Sequence, residues 1–334
     1  MSDDENLLEV RGLKVHFPIH KGIIFRRKAG FVRAVDGVDF SVKKGEALGL
    51  VGESGCGKST TAMAVAQLQA ATAGSIRFAG EDLGSLSPKD LRRARRHFQI
   101  VFQDPYSSLD PRMRAFDIIA EPLRIYARLG IVDADEAEIE RRTLSLMERC
   151  GLSTSFARRY PHEFSGGQRQ RIGIARALSL GPKLIIADEP VSALDVSIQS
   201  QILNLLKDLR KDFDLTFLFI AHDLAVIEYF CDRIAVMYLG RVVETASAAE
   251  LNKNPMHPYT RALLSAVPLP DPEKERSRRR ILLKGDVPSP SAERKGCPFR
   301  ERCPEAMERC AFSAPNLRAV AEGHEVSCFL YGEA

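Results

Sequence analysis

The sequence predicts an α/β fold in which helices pack against a sheet of short strands. Apolar runs of strand length alternate with helical segments between residues 183 and 237, as in a sheet whose strands are joined by helices. An apolar run at 47–51 leads through a glycine-rich loop into a helical segment. With 45% apolar and 28% charged residues, the chain has the composition of a globular protein.

Length and charge narrow the possible architectures. A chain of 334 residues is long for one average domain, so one large domain with appendages is expected. The 48 basic and 44 acidic residues leave a net charge of +4, too small an excess to indicate nucleic-acid binding. The acidic N-terminus gives no secretory signal, and no window approaches the roughly 18 apolar residues of a membrane-spanning helix.

The expected elements follow from local periodicity. The basic stretch 18–33 is expected to be a hairpin loop with a solvated face, and charged helical spacing over 113–150 indicates an inserted helical subdomain. The other elements expected before residue 183 are strands at 7–17, 35–40, 47–51 and 75–79 and a helix at 58–68. Those expected after it are strands at 183–187, 215–221 and 233–237 and helices at 198–209 and 224–230.

A change in composition marks a domain boundary near residue 270. Prolines at 268, 270, 272, 288 and 290 bracket the basic run 274–280. We therefore expect one large domain over 1–270 and a small C-terminal extension over 271–334. No internal repeat is apparent in the sequence.

A phosphate-binding loop is the strongest chemical signal in the sequence. Residues 52–60 follow an apolar strand and open a helix, which is the context that the motif requires. Its glycines let backbone N–H groups point at phosphates, and the helix N-terminus adds partial positive charge. Lys58 should reach the β- and γ-phosphates, and the Ser59 hydroxyl should ligate Mg²⁺. The expected nucleotide-binding residues of this loop are Gly52, Glu53, Ser54, Gly55, Cys56, Gly57, Lys58, Ser59 and Thr60.

An acidic pair ends the apolar run at 184–187. A strand in this position delivers Asp188 to the edge of the sheet, where its carboxylate can hold Mg²⁺. Glu189 follows directly and is placed to act as a general base on water. Two acids at a strand end are more often simply solvated, but together with the phosphate loop they indicate a hydrolytic site.

A Ser-Gly-Gly-Gln turn precedes the helical run 171–180. Unpaired N–H groups and the helix dipole converge at such a turn, so Ser165, Gly166, Gly167 and Gln168 form a second candidate for anion binding. The alternative is a plain helix cap in which Ser165 supplies the capping oxygen. Capping by one residue does not by itself call for two glycines and Gln168.

Together these motifs resemble those of the ATP-binding-cassette (ABC) ATPases. Gln103 in Phe-Gln-Asp-Pro, the D-loop-like sequence at 192–195 and His222 in Ala-His-Asp complete the set, and all occur in that family's order within residues 7–250. The resemblance implies a P-loop NTPase fold with a mixed-sheet core, an antiparallel β subdomain and a helical subdomain at about 104–175. It also implies an intact hydrolytic site.

The resemblance assigns roles to residues that the sequence alone would leave structural. It implies that Gln103 couples the γ-phosphate and Mg²⁺ to the transport subunit and that His222 contacts the γ-phosphate. For the aromatic residue that stacks on adenine, Phe31 and Phe17 are both candidates, and Phe31 is favoured because it lies just before the 34–37 strand.

In this family the site is completed in a head-to-tail dimer. Ser165 and Gly167 of one cassette then close on nucleotide held by the other, so one cassette per chain implies a partner chain. The resemblance favours a paralogous ATPase subunit as this partner, and a second copy of the chain is the alternative.

Three features resemble the oligopeptide- and dipeptide-permease ATPases in particular, namely the sequences at 190–196 and 254–264 and the cysteine-rich tail that begins at 296. The resemblance implies two polytopic permease subunits and an extracytoplasmic peptide-binding protein. It places the chain peripherally at the cytoplasmic face of the bacterial inner membrane. His257 and Tyr259 are expected to be packing residues. Peptides are the favoured cargo, although related systems move nickel, glutathione and other small solutes.

Four cysteines lie in the tail: Cys297, Cys303, Cys310 and Cys328. Structural zinc sites usually show cysteine pairs two to four residues apart, whereas the gaps here are 5, 6 and 17 residues. Four thiolates on irregular loops suit an iron–sulfur cluster, and related peptide-permease ATPases share this pattern. A structural or regulatory [4Fe–4S] cluster is therefore expected, with zinc and free thiols as alternatives.

Two other function classes are compatible with a phosphate loop. A soluble ABC ATPase acting on nucleic acid or ribosomes usually carries two cassettes, long coiled-coil insertions or a clear basic face, and the sequence has none of these. A phosphate-transferring kinase would not need the turn at 165–168. The favoured hypothesis is an ATPase subunit that powers peptide import.

Overall fold

The computed structural model describes residues 6–21, 27–104, 106–267, 276, 280–292 and 295–332. The chain forms two compact units. The first comprises Met1–Val42, Ala47–Gly84 and Ala221–Ala334, and the second comprises Lys43–Glu46 and Ser85–Ile220. The domain boundary expected near residue 270 lies outside the described residues and stays a prediction.

The first unit contains a four-stranded sheet. Its strand order is β2 (Arg27–Lys43), β1 (Asn6–Lys21), β4 (Ala73–Phe78) and β5 (Glu81–Asp82). β4 runs antiparallel to both β1 and β5. The strands expected at 7–17, 35–40 and 75–79 are thus present, and β1 and β2 are longer than predicted.

The hairpin loop expected at 18–33 is wrong in its extent. β1 continues to Lys21 and β2 begins at Arg27. Only 22–26 separate the strands, and these lie outside the described residues. β2 stands at the end of the strand order. The positive charge that suggested a loop belongs largely to strands.

Five strands of the same unit belong to a second sheet. Their order is β11 (Arg318–Ala321), β12 (His324–Val326), β10 (Arg241–Ser247), β9 (Arg233–Tyr238) and β3 (Ala47–Val51). β3 pairs with β9 in parallel, and the other neighbours pair antiparallel. All five residues of β3 are buried, as expected for a parallel strand covered on both faces. The helices of this unit are α1 (Lys58–Val65), α7 (Leu224–Phe230), α8 (Ala248–Lys253) and α9 (Pro258–Ala266).

The second unit combines parallel strands with a helical part. The neighbours β6 (Phe98–Val101), β7 (Leu184–Asp188) and β8 (Thr216–Ala221) run parallel. Its helices are α2 (Pro88–Arg95), α3 (Ala115–Arg128), α4 (Glu136–Arg149), α5 (Gly166–Leu178) and α6 (Val196–Asp212). The helical spacing expected over 113–150 is confirmed by α3 and α4, which share a buried cluster containing Leu123 and Ile139.

The described part of the chain contains no helix long and apolar enough to cross a membrane.

Candidate functional site

The phosphate loop (52–60) joins the buried strand β3 to α1 in the first unit. At two positions of the loop, neighbouring backbone lies so close that only glycine fits. A Cβ at Gly52 would lie 2.1 Å from the Met237 carbonyl oxygen, and one at Gly57 would lie 2.1 Å from the Ala34 carbonyl oxygen. Gly57 also has φ +107°, which side chains other than hydrogen rarely allow. The loop is therefore packed tightly against β9 and β2.

Lys58 is held inside this loop. Its side chain is 4% exposed, and Nζ donates to the carbonyl oxygens of Gly52 at 2.7 Å and Glu53 at 3.1 Å. Cys56 is also buried, its Sγ lies 3.9 Å from Lys58 Nζ, and burial raises its pKa. Ser54, Gly55 and Ser59 are exposed, so the face of the loop that they form is open to a ligand.

Glu53 is fixed by residues far away in the sequence. Its backbone N–H donates to the Tyr259 hydroxyl at 2.9 Å. Its carboxylate accepts two hydrogen bonds from Arg302, at 2.6 Å from Nη1 and 3.0 Å from Nη2. Donating these hydrogen bonds to Glu53 raises the pKa of Arg302. The side chain of Glu53 is thus committed to an ion pair, and the loop presents the backbone of this residue.

Tyr259 is held in place by a buried polar network. Glu244 on β10 is fully buried, and its carboxylate accepts the backbone N–H groups of Met256 and His257 at 2.7 and 2.9 Å. The ring nitrogen Nε2 of His324 lies 2.8 Å from the same carboxylate. His257 caps α9 through Nδ1, which accepts the Tyr259 N–H, and burial lowers the His257 pKa to about 3. His257 is therefore a neutral capping residue.

The acidic pair and Gln103 meet in the second unit. Asp188 is 5% exposed at the end of β7, and Glu189 follows it in a left-handed conformation with φ 49°. The Glu189 N–H donates to the Ile220 carbonyl oxygen at 2.9 Å. The side-chain amide of Gln103 donates to Glu189 Oε2 at 3.0 Å and to the Ser192 hydroxyl at 3.3 Å. Two residues that were expected at the nucleotide site in separate roles are thus in direct contact.

The turn at 165–168 begins α5 and forms a complete capping box. Ser165 Oγ accepts the Gln168 N–H at 3.3 Å, and Gln168 Oε1 accepts the Ser165 N–H at 3.0 Å. A Cβ at Gly167 would lie 2.5 Å from Ile198 Cγ2, so the packing of α6 excludes a side chain there. The expectation that a plain cap leaves Gln168 and the second glycine unexplained is therefore wrong. The capping box uses Gln168, and packing against Ile198 requires glycine at 167.

The remaining nucleotide-binding candidates lie in the first unit. His222 is exposed directly after β8, and Asp223 caps α7 by accepting the Ala225 N–H at 2.8 Å. Phe31 is half-buried on β2, with its ring centroid 6.2 Å from that of His16. Phe17, the other aromatic candidate, is 37% exposed on β1. Both rings lie on strands of the four-stranded sheet.

The cysteine segment (295–332) contains all four cysteines that are the candidate cluster ligands. The Cys297 N–H donates to the Cys310 carbonyl oxygen at 2.9 Å. Burial raises the pKa values of Cys297 and Cys303 to about 11, and the Cys328 thiol adds to both shifts. All four cysteines are free thiols, and no three or more His, Cys, Asp or Glu side chains of the described residues are arranged to hold a metal ion.

Sequence reasoning missed three residues that shape the phosphate loop: Tyr259, Arg302 and Glu244. Tyr259 was expected only to pack, yet its hydroxyl binds the loop. Arg302 and Glu244 carry no motif signal.

A phosphate loop between a buried parallel strand and a helix, and an acidic pair that ends a second parallel strand, define a P-loop ATPase. An ABC transporter sequence profile matches residues 35–192, and a profile of the C-terminal region of oligopeptide/dipeptide transporters matches residues 243–310. A solved ATP-binding cassette, a dimer bound to ADP and Pi, aligns with a TM-score of 0.63 at 28% identity over 72% of this chain and 98% of its own.

Two curated relatives match along nearly the whole chain. The oligopeptide transport ATP-binding protein AppF of Bacillus subtilis is 52% identical over 331 residues, or 99% of each chain. The oligopeptide transport ATP-binding protein OppF of Escherichia coli is 51% identical over 323 residues, or 96% of this chain and 95% of its own. The chain belongs to the family of ATP-binding subunits of oligopeptide ABC transporters.

Proposed function

We propose that the protein hydrolyses ATP to power peptide import across the bacterial inner membrane. The observation that carries this proposal is the similarity over nearly the full length to AppF and OppF, which are named as oligopeptide transport ATP-binding proteins. The chain also retains every catalytic motif residue. It would act peripherally, at the cytoplasmic face of the membrane.

Each residue of the site has its own role in phosphoryl transfer. Lys58 would contact the β- and γ-phosphates, and Ser59, Gln103 and Asp188 would hold Mg²⁺, which would neutralise charge on the phosphates. Glu189 is the general base that activates water. His222 contacts the γ-phosphate, and Phe31 stacks on adenine. Both Ser59 and His222 are exposed, which leaves them accessible to nucleotide.

The functional assembly contains a second cassette, two polytopic permease subunits and an extracytoplasmic peptide-binding protein. The dimeric cassette bound to ADP and Pi supports a cassette pair. Within that pair the turn at 165–168 faces nucleotide on the partner, which we expect to be a paralogue. ATP then joins the cassettes and hydrolysis separates them, and this two-state cycle supplies mechanical work.

Uptake of a labelled oligopeptide by proteoliposomes tests this proposal. We expect uptake to require the assembled transporter, the binding protein and ATP on the side of the cassettes. A complex that hydrolyses ATP without moving any oligopeptide would contradict the peptide assignment. Nuclease-sensitive co-purification of RNA or DNA, with no membrane subunits, would instead favour the nucleic-acid alternative.

A negative charge introduced at Ser165 should impair ATP turnover only in the assembled pair of cassettes. Aspartate caps helices as well as serine does, so Ser165→Asp should preserve α5 while placing a negative charge opposite the partner's triphosphate. We expect the isolated chain to bind ATP normally and the assembled ATPase to lose at least about tenfold in turnover. Gly167 is unsuitable for this test because Ile198 excludes a side chain there.

Ser153→Asp is the matched control, because Ser153 is also an exposed capping serine. It should leave turnover of the complex unchanged. Isothermal titration gives the ATP affinity of each isolated chain, and phosphate release gives the turnover of each complex. Loss of ATP affinity in isolated Ser165→Asp would contradict action across the pair.

The four cysteines of the extension (271–334) are proposed to hold a [4Fe–4S] cluster. The chemistry of the donors suits the cluster, because soft thiolates are the ligands such clusters take and the four side chains come from one small segment. In the described residues these thiols are not arranged around a metal ion, so binding would require them to move together. That segment is short and would gain stability from a bound metal group. The raised pKa values of Cys297 and Cys303 mean that binding would release protons from these thiols. The cluster would be structural or regulatory.

Anaerobic purification should give a brown protein with about four iron and four sulfide per chain. Cys303→Ser should lower both contents, whereas Cys150→Ala should not, because Cys150 lies in the second unit. Iron and sulfide analysis together with visible absorption make the measurement. Colourless protein with stoichiometric zinc, or with four titratable thiols and no metal, would contradict the cluster.

A further inference from the structure

Glu53 of the phosphate loop is held at three separate atoms. Its carbonyl oxygen accepts from Lys58 Nζ at 3.1 Å, and its N–H donates to the Tyr259 hydroxyl at 2.9 Å. Its carboxylate receives a bidentate pair from Arg302, at 2.6 and 3.0 Å. Tyr259 and Arg302 both come from the C-terminal region that sets the peptide-transport relatives apart from other cassettes.

Arg302 is itself fixed by the cysteine segment. Its side chain is 8% exposed, and its guanidinium carbon lies 5.9 Å from the centre of the Tyr238 ring. Its N–H donates to the Phe299 carbonyl oxygen at 3.0 Å. The Phe299 ring is 1% exposed and lies 5.2 Å from Tyr238 and 5.4 Å from Tyr259, centre to centre. The turn between Cys297 and Cys303 therefore forms one wall of the phosphate loop.

The ion pair matters because of what the loop has to bind. A triphosphate is strongly anionic, and an unpaired carboxylate in the loop would repel it, most of all where water is partly excluded. The bidentate guanidinium neutralises that carboxylate and also fixes its direction. Arg302 needs no contact with nucleotide to have this effect.

We propose that Arg302 is a positioning residue of the nucleotide site, through which ATP affinity depends on the folded state of the cysteine segment. This inference rests on the proposed ATPase function. Any change that unfolds the turn at 297–303, such as oxidation of its thiols, withdraws Arg302 and leaves Glu53 charged and free. The ATP affinity of the phosphate loop thus depends on whether the cysteine segment is folded.

A charge-rescue series tests this role in the assembled transporter. Arg302→Gln leaves the Glu53 carboxylate unpaired, so we expect the KM for ATP to rise about tenfold while kcat at saturating ATP changes less than about twofold. Glu53→Gln should raise KM by about twofold or less. The double variant should resemble Glu53→Gln, because removing the carboxylate removes the repulsion. Arg302→Lys should retain most of the affinity, within about threefold, because it keeps the charge.

Arg300→Gln is the matched control, since Arg300 is an exposed arginine of the same turn. It should leave KM unchanged. An effect of Arg302→Gln that is not relieved in the double variant would overturn the proposal, because a merely structural arginine gives no charge rescue. If Arg302→Gln fails to fold, the KM values of Arg302→Lys and the double variant still test the proposal. Arg302→Lys should stay within about threefold of the wild type and the double variant should match Glu53→Gln, and larger KM values would overturn the proposal.

Linkage supplies a second readout that does not depend on activity. If the cysteine segment stabilises the ATP-bound loop, ATP must stabilise the segment by the same factor. Amide hydrogen exchange at 297–303 should slow when the non-hydrolysed Glu189→Gln protein binds ATP, and Arg302→Gln should abolish this protection. Unaltered exchange in the ATP-bound protein would overturn the inference. Absence of ATP turnover in the wild-type complex would instead contradict the proposed function.

Discussion

Replacement of Glu189 by glutamine is expected to lower ATP turnover by about 10²–10⁴-fold while ATP still binds. The amide has nearly the same shape as the carboxylate but cannot take a proton from water. Its Oε1 can still accept the hydrogen bond that Gln103 donates to Glu189 Oε2. The backbone bond from Glu189 N–H to the Ile220 carbonyl oxygen is unaffected, so the left-handed turn should be preserved.

Phosphate release from the assembled transporter and the ATP affinity of the isolated chain together measure this effect. ATP-dependent pairing of cassettes should persist or strengthen, because bound ATP is no longer consumed. Glu140→Gln is the matched control, since Glu140 is an exposed glutamate on α4. Near-normal turnover of the Glu189→Gln complex would contradict the assignment of Glu189 as the base.

The phosphate loop could be predicted because its signal is local. A buried strand, a glycine-rich loop and a helix lie within 47–65, and both the strand and the helix were expected from periodicity. The same holds for β7 and the acidic pair that ends it. Each of these features depends on neighbours in the sequence, so one stretch of residues contains the information needed to place it.

The contacts around Glu53 could not be predicted in this way. Arg302 lies 249 residues from Glu53, and Tyr259 lies 206 residues away. Arg302 stands out by neither periodicity nor motif, because a bidentate pair requires only that two distant side chains meet. Tyr259 lies in the 254–264 motif but is expected there only to pack. These side chains reach Glu53 only because of the way the C-terminal region folds, and no local sequence pattern indicates the contact.

Several short elements were missed for a related reason. β6 has four residues and follows the arginine-rich α2, and β10 includes the buried Glu244, which interrupts its apolar pattern. Both are stabilised by pairing with strands distant in sequence. By contrast, the capping box at Ser165 was visible, because serine followed three residues later by glutamine is a local signature. At Ser165 the capping signature is thus present in the sequence, although the favoured prediction for this turn is anion binding.

Replacement of Lys58 by methionine is expected to weaken ATP binding by about 10- to 100-fold. A hydrogen bond to a charged group contributes about 1.5–3 kcal/mol, and each 1.4 kcal/mol is tenfold in affinity. Methionine keeps most of the side-chain volume at a position that is 4% exposed, so it removes the charge without leaving a large cavity. Arginine should not fully restore binding, because a planar guanidinium is bulkier than an ammonium and the position is only 4% exposed.

Titration of the isolated chain with ATP and Mg²⁺ measures this loss directly, and thermal unfolding shows whether the variant is folded. Lys44→Met is the matched control, because the Lys44 side chain is 68% exposed and pairs with Asp214 at the surface. This control should bind ATP as the wild type does. The two variants remove the same charge from the same chain, so net charge cannot explain a difference between them. An unchanged ATP affinity in a folded Lys58→Met protein would show that the phosphates are held by the backbone N–H groups of the loop and not by this ammonium.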